Sequence, residues 1–385
     1  MIGINKIACY IPQNYLKMTS LASARGVDPK KFLIGIGQEK MAVVGGNEDS
    51  ISMGLNSARR LLDSLTSEEK ESIKLVIFAT ESSVDESKAG SLFFQQYLGL
   101  SSDARYFEIK EACYGATAGL DLAIDRVTLH PDEKVLIVAS DIARYGLNSG
   151  GEVTQGAGSV AMLVENSLET AFETVYRPSY YAQNVPDFYR PMGCEEAIVD
   201  GPLSNQTYLQ FFKHVFEDFF KSKPIMPEDL KMINFHMPYT KIGLKALNEI
   251  KDQINIDKFE EWVNLFNQGK SLNAEVGNIY TGSLYLNLLS NVLAGNLNKE
   301  DLIGMYSYGS GSQSEFYVLK AHAIPDLSSL SDLLINRQEV EIKTYEKMYQ
   351  ERSDELNQQF NSEGIRLGDF YLKEVVNGNR IYDQK

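Results

Sequence analysis

Four residues have types and settings from which thioester and carbon–carbon chemistry can be built: Glu81, Cys113, His236 and Asn278. Cys113 lies in Phe107-Glu108-Ile109-Lys110-Glu111-Ala112-Cys113-Tyr114-Gly115-Ala116, between an apolar strand pattern and a helix rich in Ala and Gly. A sulfur at a helix N-terminus feels the positive end of the helix dipole, which predicts a thiolate-leaning nucleophile. The competing reading is a small buried hydrophobe, and position alone does not displace it. Glu81 closes the run Phe78-Ala79-Thr80. A carboxylate on an apolar cleft floor would have a raised pKa and move protons near neutrality, whereas in isolation it reads as a solvated acid at a strand exit. His236 follows Met232-Ile233-Asn234-Phe235 and precedes Pro238, while His130, His214 and His322 sit in charged or amphipathic surroundings. Asn278 reads either as a helix N-cap or as a donor to a thioester oxygen.

Together these residues suit one reaction class. The cysteine carries an acyl group as a thioester, the glutamate removes a proton beside that thioester's carbonyl, and the histidine polarises the carbonyl that the carbanion attacks. The turn Tyr308-Gly309-Ser310-Gly311-Ser312 is placed to bring a backbone N–H beside Cys113, where the two N–H groups would form an oxyanion hole.

The elements that must hold these groups alternate between short apolar β-branched runs and helical patterns, which predicts an α/β architecture. Strand-like runs cover 74–80, 134–140, 159–164, 231–235, 302–307 and 315–321. Helical patterns cover 51–65, 114–128, 205–221, 239–251, 280–294 and parts of 338–360. The second half repeats the punctuation of the first. A strand ends at Glu81 and another at His236; small-residue helix openings follow at Cys113-Tyr114-Gly115-Ala116 and Asn278-Ile279-Tyr280-Thr281; each half then reaches a Gly-x-Gly-Ser turn, at Gly156–Ser159 and Gly309–Ser312. Such a repeat predicts two similar units about a pseudo-twofold axis, 1–166 carrying Glu81 and Cys113, and 167–385 carrying His236 and Asn278. The tail beyond 325 reads as charged and mostly helical.

Composition narrows the partners. The 385 residues are 43% apolar and 10% aromatic, enough for a large core. No window approaches the ~18 uninterrupted apolar residues of a membrane span, and the start Met1-Ile2-Gly3-Ile4-Asn5-Lys6 lacks a secretion-signal layout, so a cytoplasmic location is expected. Three cysteines, Cys9, Cys113 and Cys194, cannot all pair, and none has the close Cys or His of a zinc site. The net charge of −15 argues against nucleic-acid binding, and an anionic small ligand would need a local basic pocket.

At these residues the sequence resembles the 3-hydroxy-3-methylglutaryl-CoA synthase family, of the bacterial mevalonate-pathway type, within the thiolase-fold superfamily. The likeness runs through Val27-Asp28-Pro29-Lys30-Lys31-Phe32-Leu33-Ile34-Gly35-Ile36-Gly37-Gln38, Ala79-Thr80-Glu81-Ser82, Lys110-Glu111-Ala112-Cys113, Ala143-Arg144-Tyr145-Gly146-Leu147-Asn148-Ser149-Gly150-Gly151-Glu152, Val199-Asp200-Gly201-Pro202-Leu203-Ser204, Gly277-Asn278-Ile279-Tyr280-Thr281-Gly282-Ser283 and Tyr308–Ser312. Related ketoacyl-carrier-protein synthases use Cys with His and Asn but lack the glutamate. The resemblance implies a five-layered αβαβα thiolase-like fold with two pseudo-symmetric halves, and a homodimer. It implies that Cys113 is acetylated, Glu81 is the general acid/base and His236 anchors and polarises acetoacetyl-CoA. Asp28, Tyr145, Thr154, Ser204, Asn278 and Ser310 would line the substrate site, with Lys241 and Lys245 near a CoA tunnel. That lysine pair, i and i+4 on one helix face, can itself meet phosphates or be an ordinary solvated face. No cofactor or metal is implied, because acetyl-CoA and acetoacetyl-CoA are substrates. One stretch departs from the family: Phe188-Tyr189-Arg190-Pro191-Met192-Gly193-Cys194-Glu195-Glu196-Ala197 replaces the usual Phe-Trp-Arg-Pro with its following His and Tyr-Pro. Two other readings compete: condensation on carrier-protein-bound acetoacetyl groups, which would need a basic docking rim, and a catalytically silent acyl-thioester scaffold.

Overall fold

The computed structural model describes residues 1–194, 196–351 and 355–385. Nine strands form one continuous sheet: β1 (Ile2–Tyr10), β2 (Ile73–Ala79), β3 (Arg105–Ile109), β4 (Lys134–Ala143), β5 (Gly156–Asn166), β6 (Phe172–Ala182), β7 (Leu230–Phe235), β8 (Leu302–Gly309) and β9 (Gln313–Ala321); six fall on the apolar runs, while β1, β3 and β6 lie outside them. Their order is β7-β8-β9-β6-β1-β5-β4-β2-β3. The centre of the sheet is a short antiparallel contact between β1 and β6, at Gly3 opposite Glu173 and Ile4 opposite Phe172. Outward from it, β5, β4 and β2 on one side repeat β9, β8 and β7 on the other, pairing antiparallel, antiparallel and then parallel. β3 extends only the first half.

Side-chain alternation turns this strand order into five layers. On β4, Val135, Ile137 and Ala139 join a central core while Leu136 and Val138 join an outer one. On β9, Tyr317 and Leu319 face the same central core, and Phe316 and Val318 face a second outer one. Strands buried on both faces read as continuous apolar runs, which is why they were legible. The central layer is helix α3 (Gly115–Leu129) beside α7 (Ser283–Leu293), tied where Thr117 Oγ1 and the Tyr285 hydroxyl lie 3.1 Å apart. One outer layer holds α1 (Ser50–Leu62) and α2 (Ser91–Leu98); the other holds α4 (Gly201–Ser222), α5 (Ile242–Glu249) and α6 (Ile256–Gln268). The thiolase-like architecture is thus present.

Three expectations need correction. The tail is helical only over Ser328–Ile335 and Ile342–Gln350; it then forms strands Asn357–Gln359, Phe370–Val376 and Asn379–Gln384, whose Phe370, Leu372, Val375 and Tyr382 cover the outer core over α1. Charge on the solvent face of that hairpin masked its apolar alternation. Gly156–Ser159 is not a turn but the first part of β5; Cβ atoms at Gly156 and Gly158 would meet the Val276 carbonyl at 2.6 Å and the Tyr10 carbonyl at 3.1 Å, so these glycines serve close packing. Only Gly309–Ser312 turns the chain, joining β8 to β9. The helix expected over 239–251 is shorter, with Lys241 as its N-cap.

Candidate active site

Cys113 is presented by a strained elbow. β3 ends at Ile109 and α3 begins at Gly115, and between them Ala112 takes φ 41°, a left-handed conformation that a residue with a Cβ adopts only under constraint. The constraint is visible at Gly309, where a Cβ would stand 2.7 Å from the Glu111 carbonyl oxygen and 2.9 Å from the Tyr114 nitrogen. Tyr114 also donates its hydroxyl to buried Glu315 at 2.6 Å. Held on both sides, Cys113 points into a small apolar cluster with Ala143, Tyr280, Tyr145 and Phe188.

Cys113 Sγ donates to Glu81 Oε1 at 3.0 Å. Glu81 stands two residues past β2, its backbone N–H fixed by Asp141 Oδ1 at 2.7 Å. Burial, then the nearby Asp141 charge, push the Glu81 carboxyl up to about 8, against the lowering effects of the Cys113 hydrogen bond and Arg190. The thiolate expectation fails here. Burial lifts the Cys113 thiol well above its usual value, and Glu81, Asp141 and Asp187 add to it, so the resting sulfur keeps its proton and shares it in the hydrogen bond to Glu81. Enclosure among carboxylates outweighs the end of one helix.

His236 continues β7 by one residue, its N–H donating to the Tyr306 carbonyl at 2.8 Å and its own carbonyl accepting from the Tyr208 hydroxyl at 2.6 Å. Its ring is buried, Nδ1 has no hydrogen-bond partner among the described residues, and burial lowers its pKa to about 3. Such an imidazole is a neutral hydrogen-bonding group rather than a cation. Asn278 is not the N-cap of α7, which is Gly282. Its Oδ1 instead accepts from the Tyr280 N–H at 2.9 Å and Ser283 Oγ at 2.8 Å, which aims Nδ2 at the Tyr145 hydroxyl, 3.0 Å away. Tyr145 in turn meets Phe188 and Tyr280 edge-on at 6.0 and 6.1 Å.

The remaining expected residues fall into two groups. Ser310 lines one cleft of about 1500 Å³ with Glu81 and with Ala112, Phe188, Arg190 and Gly311, which were not among the expected residues. Within its turn, the Gly311 N–H donates to Asp187 Oδ1 at 2.8 Å and the Ser312 N–H to the Gln183 carbonyl at 2.8 Å, so neither is aimed at Cys113. Thr154 meets Asn278 through its backbone, its carbonyl accepting the Asn278 N–H at 3.2 Å, while its hydroxyl turns to the Gly151 carbonyl. Elsewhere, the Lys241 backbone and ammonium donate to the Ile36 and Ile34 carbonyls at 3.0 and 3.2 Å. Lys245 donates to the Tyr239 hydroxyl at 2.9 Å, and Tyr239 to Asn205, next to Ser204 in the first turn of α4. Asp28 is exposed and accepts the Lys30 N–H at 2.9 Å, opening the Lys31–Ile36 turn that docks on Lys241. The lysines, Asp28 and Ser204 therefore mark a surface beyond His236, outside the 1500 Å³ cleft.

Sequence reasoning missed Asp141, Asp187 and Arg190. Asp141 is fully buried; Oδ1 accepts from Thr80 Oγ1, the Glu81 N–H and Ser82 Oγ, and Oδ2 from the Thr281 N–H and hydroxyl. It thereby ties the Glu81 strand end to the segment after Asn278. A charge ending the apolar run Val135–Ser140 was its signal. Asp187 Oδ2 accepts from the Tyr308 hydroxyl at 2.8 Å, clasping the 308–312 turn, and no periodicity foretold it.

The N-terminal model of hydroxymethylglutaryl-coenzyme A synthase matches residues 1–168 and its C-terminal model residues 251–385. Hydroxymethylglutaryl-CoA synthase of Enterococcus faecalis is 46% identical over 362 residues, 92% of either chain. The polyketide biosynthesis 3-hydroxy-3-methylglutaryl-ACP synthase PksG of Bacillus subtilis is 32% identical over 333 residues, 82% of this chain and 79% of that one. A solved HMG-CoA synthase complexed with CoA superposes over the whole of both chains with a TM-score of 0.93 at 37% identity. This chain belongs to the hydroxymethylglutaryl-CoA synthase family.

Proposed function

We propose that this chain condenses acetyl-CoA with acetoacetyl-CoA and water to 3-hydroxy-3-methylglutaryl-CoA and CoA, in the mevalonate route to isoprenoids, as a cytoplasmic homodimer. The observation that carries the reading is the 3.0 Å contact between the Cys113 thiol and Glu81, a carboxyl poised near 8. In the first step Cys113 Sγ attacks the acetyl carbonyl as its proton passes to Glu81, and Glu81 returns that proton to the departing CoA sulfur, so that CoA leaves as the thiol and Glu81 is ionised again. Glu81 then takes a proton from the acetyl methyl group, and the resulting carbanion attacks the ketone carbon of acetoacetyl-CoA. Neutral His236 donates a hydrogen bond to that ketone oxygen, which becomes a hydroxyl by taking the proton that Glu81 removed from the methyl group. Water finally cleaves the thioester to Cys113.

In this reading Asn278 and Tyr145 steer the acyl oxygen, Thr154, Ser204 and Ser310 line the acyl path, and Asp28, Lys241 and Lys245 receive the CoA end. The division at 166/167 follows the strand repeat, each part supplying two of Glu81, Cys113, His236 and Asn278. Carrier-protein substrates remain the second reading, favoured by the likeness to the Bacillus subtilis synthase and opposed by the acidic charge of −15. The test is acetoacetyl-CoA loss followed with and without acetyl-CoA, with intact-mass detection of acetylated protein. Cys113→Ser should show neither; an acetylated Cys113→Ser chain would overturn the nucleophile assignment.

A further inference from the structure

We propose that Arg190 is a carboxylate fork that receives the acid released when the acyl bond to Cys113 is hydrolysed. This rests on the condensation reading above. Arg190 reaches the cleft wall from the segment that carries Asp187, and its Nη1 donates to the Glu81 backbone carbonyl at 3.1 Å. Its Nε and Nη2 are buried and have no hydrogen-bond partner among the described residues. A guanidinium stays charged at any working pH, and buried donors left unpaired are costly, so the site is built for an anion to complete it. Nε and Nη2 share one edge of the guanidinium, the edge that pairs a carboxylate through two parallel hydrogen bonds.

The reaction makes such an anion at this place and only at its end. The acyl parts of acetyl-CoA and acetoacetyl-CoA carry no carboxylate. In the last step the water oxygen bonds to the acyl carbon and the carbon–sulfur bond breaks. Sγ regains one proton and the new acid releases the other, leaving a carboxylate on the product. A fork waiting beside Glu81 favours that product over re-formation of the thioester. Its charge also lowers the Glu81 pKa, so it acts on the base throughout the cycle.

The test compares binding of 3-hydroxy-3-methylglutaryl-CoA and of acetoacetyl-CoA, by calorimetry, to Cys113→Ala and to Cys113→Ala with Arg190→Gln. The added Gln should weaken the first ligand by about 10-fold to 100-fold, the worth of a charged hydrogen-bonded pair, and the second by no more than about twofold. In the Cys113 background, Arg190→Gln should still be acetylated, with the pH dependence of that step moved upward as Glu81 loses the charge that lowers it, and should accumulate the condensed acyl-enzyme in quenched intact-mass spectra. Arg190→Lys, which keeps the charge without the fork, should restore the pH profile but only part of the product affinity. Equal weakening of both ligands would assign Arg190 a merely structural role, and unchanged binding of both would overturn the proposal outright. Failure of the underlying reading looks different: the unaltered chain itself would never be acetylated by acetyl-CoA.

Discussion

Asp141→Asn tests whether the site's proton chemistry is set by the charge beneath Glu81. The Asp141 carboxylate is kept usable by its five donors, with burial lifting its own pKa only to about 6, so near pH 7.5 it is ionised while Glu81 is largely protonated. Its charge is the second contributor to the rise of Glu81, after burial. At an effective dielectric of about 20, a like charge sharing a buried site shifts a pKa by on the order of 1–2 units. Removing the charge should therefore carry the Glu81 midpoint from about 8 down to roughly 6–7. The plateau rate should fall as well, because a weaker base drives proton removal less well. An amide also leaves one of the two donor sets facing its NH₂ group, which costs about 1–3 kcal/mol of folding stability. The assay is the pH dependence of kcat/KM for acetoacetyl-CoA loss, run beside thermal unfolding. A folded variant whose midpoint stays near 8, or moves up, would refute the electrostatic argument.

Three further substitutions separate the steps. Glu81→Ala should be acetylated slowly, because Cys113 loses its proton acceptor, and any acetyl-enzyme that forms should lose a further 10²–10⁴, roughly, in condensation, with exchange of the acetyl methyl protons into deuterated solvent falling in parallel; wild-type exchange would sink the base assignment. His236→Ala should weaken acetoacetyl-CoA binding and slow condensation with acetylation still measurable. Because burial holds His236 neutral above about 3, imidazole NMR of the unaltered protein should show no titration of this ring between about pH 5 and 8, and a midpoint near its ordinary value would contradict the neutral-donor role. Gly309→Ala should slow acetylation by roughly 10²-fold with the fold retained by circular dichroism, since its Cβ would displace the Cys113 elbow from 2.7 Å contact; unchanged acetylation would show that the elbow does not need this packing.

What the sequence disclosed follows from how each feature is encoded. Doubly buried strands such as Lys134–Ala143 are almost unbroken apolar runs, α3 is rich in Ala and Gly, and α7 starts within the small-residue opening Thr281-Gly282-Ser283, so the repeat and the positions of Glu81, Cys113, His236 and Asn278 were legible. The ionisation state of Cys113 was not. It depends on Glu81, Asp141 and Asp187, residues 32, 28 and 74 positions away in the chain, whose convergence no local pattern records. The C-terminal hairpin escaped for the opposite reason: its alternation is local, but charged residues on the solvent face, such as Lys373 and Asp383, gave the tail a helical look.

The seam between the halves explains why these groups hold one geometry. A Cβ at Gly277, whose φ is 89°, would lie 2.0 Å from the Gln155 carbonyl, and one at Gly156 would lie 2.6 Å from the Val276 carbonyl. Backbone therefore meets backbone there, and the Asn278 N–H closes the contact on the Thr154 carbonyl. A few residues further, Asp141 from the first half binds both the N–H and the hydroxyl of Thr281 from the second. Asn278 thus stands between a backbone contact that excludes any side chain and a buried carboxylate that also carries Glu81. A shift of the second half by even a few tenths of an ångström would disturb Asp141 and hence the proton affinity of Glu81, so the same contacts that join the halves also tune the base.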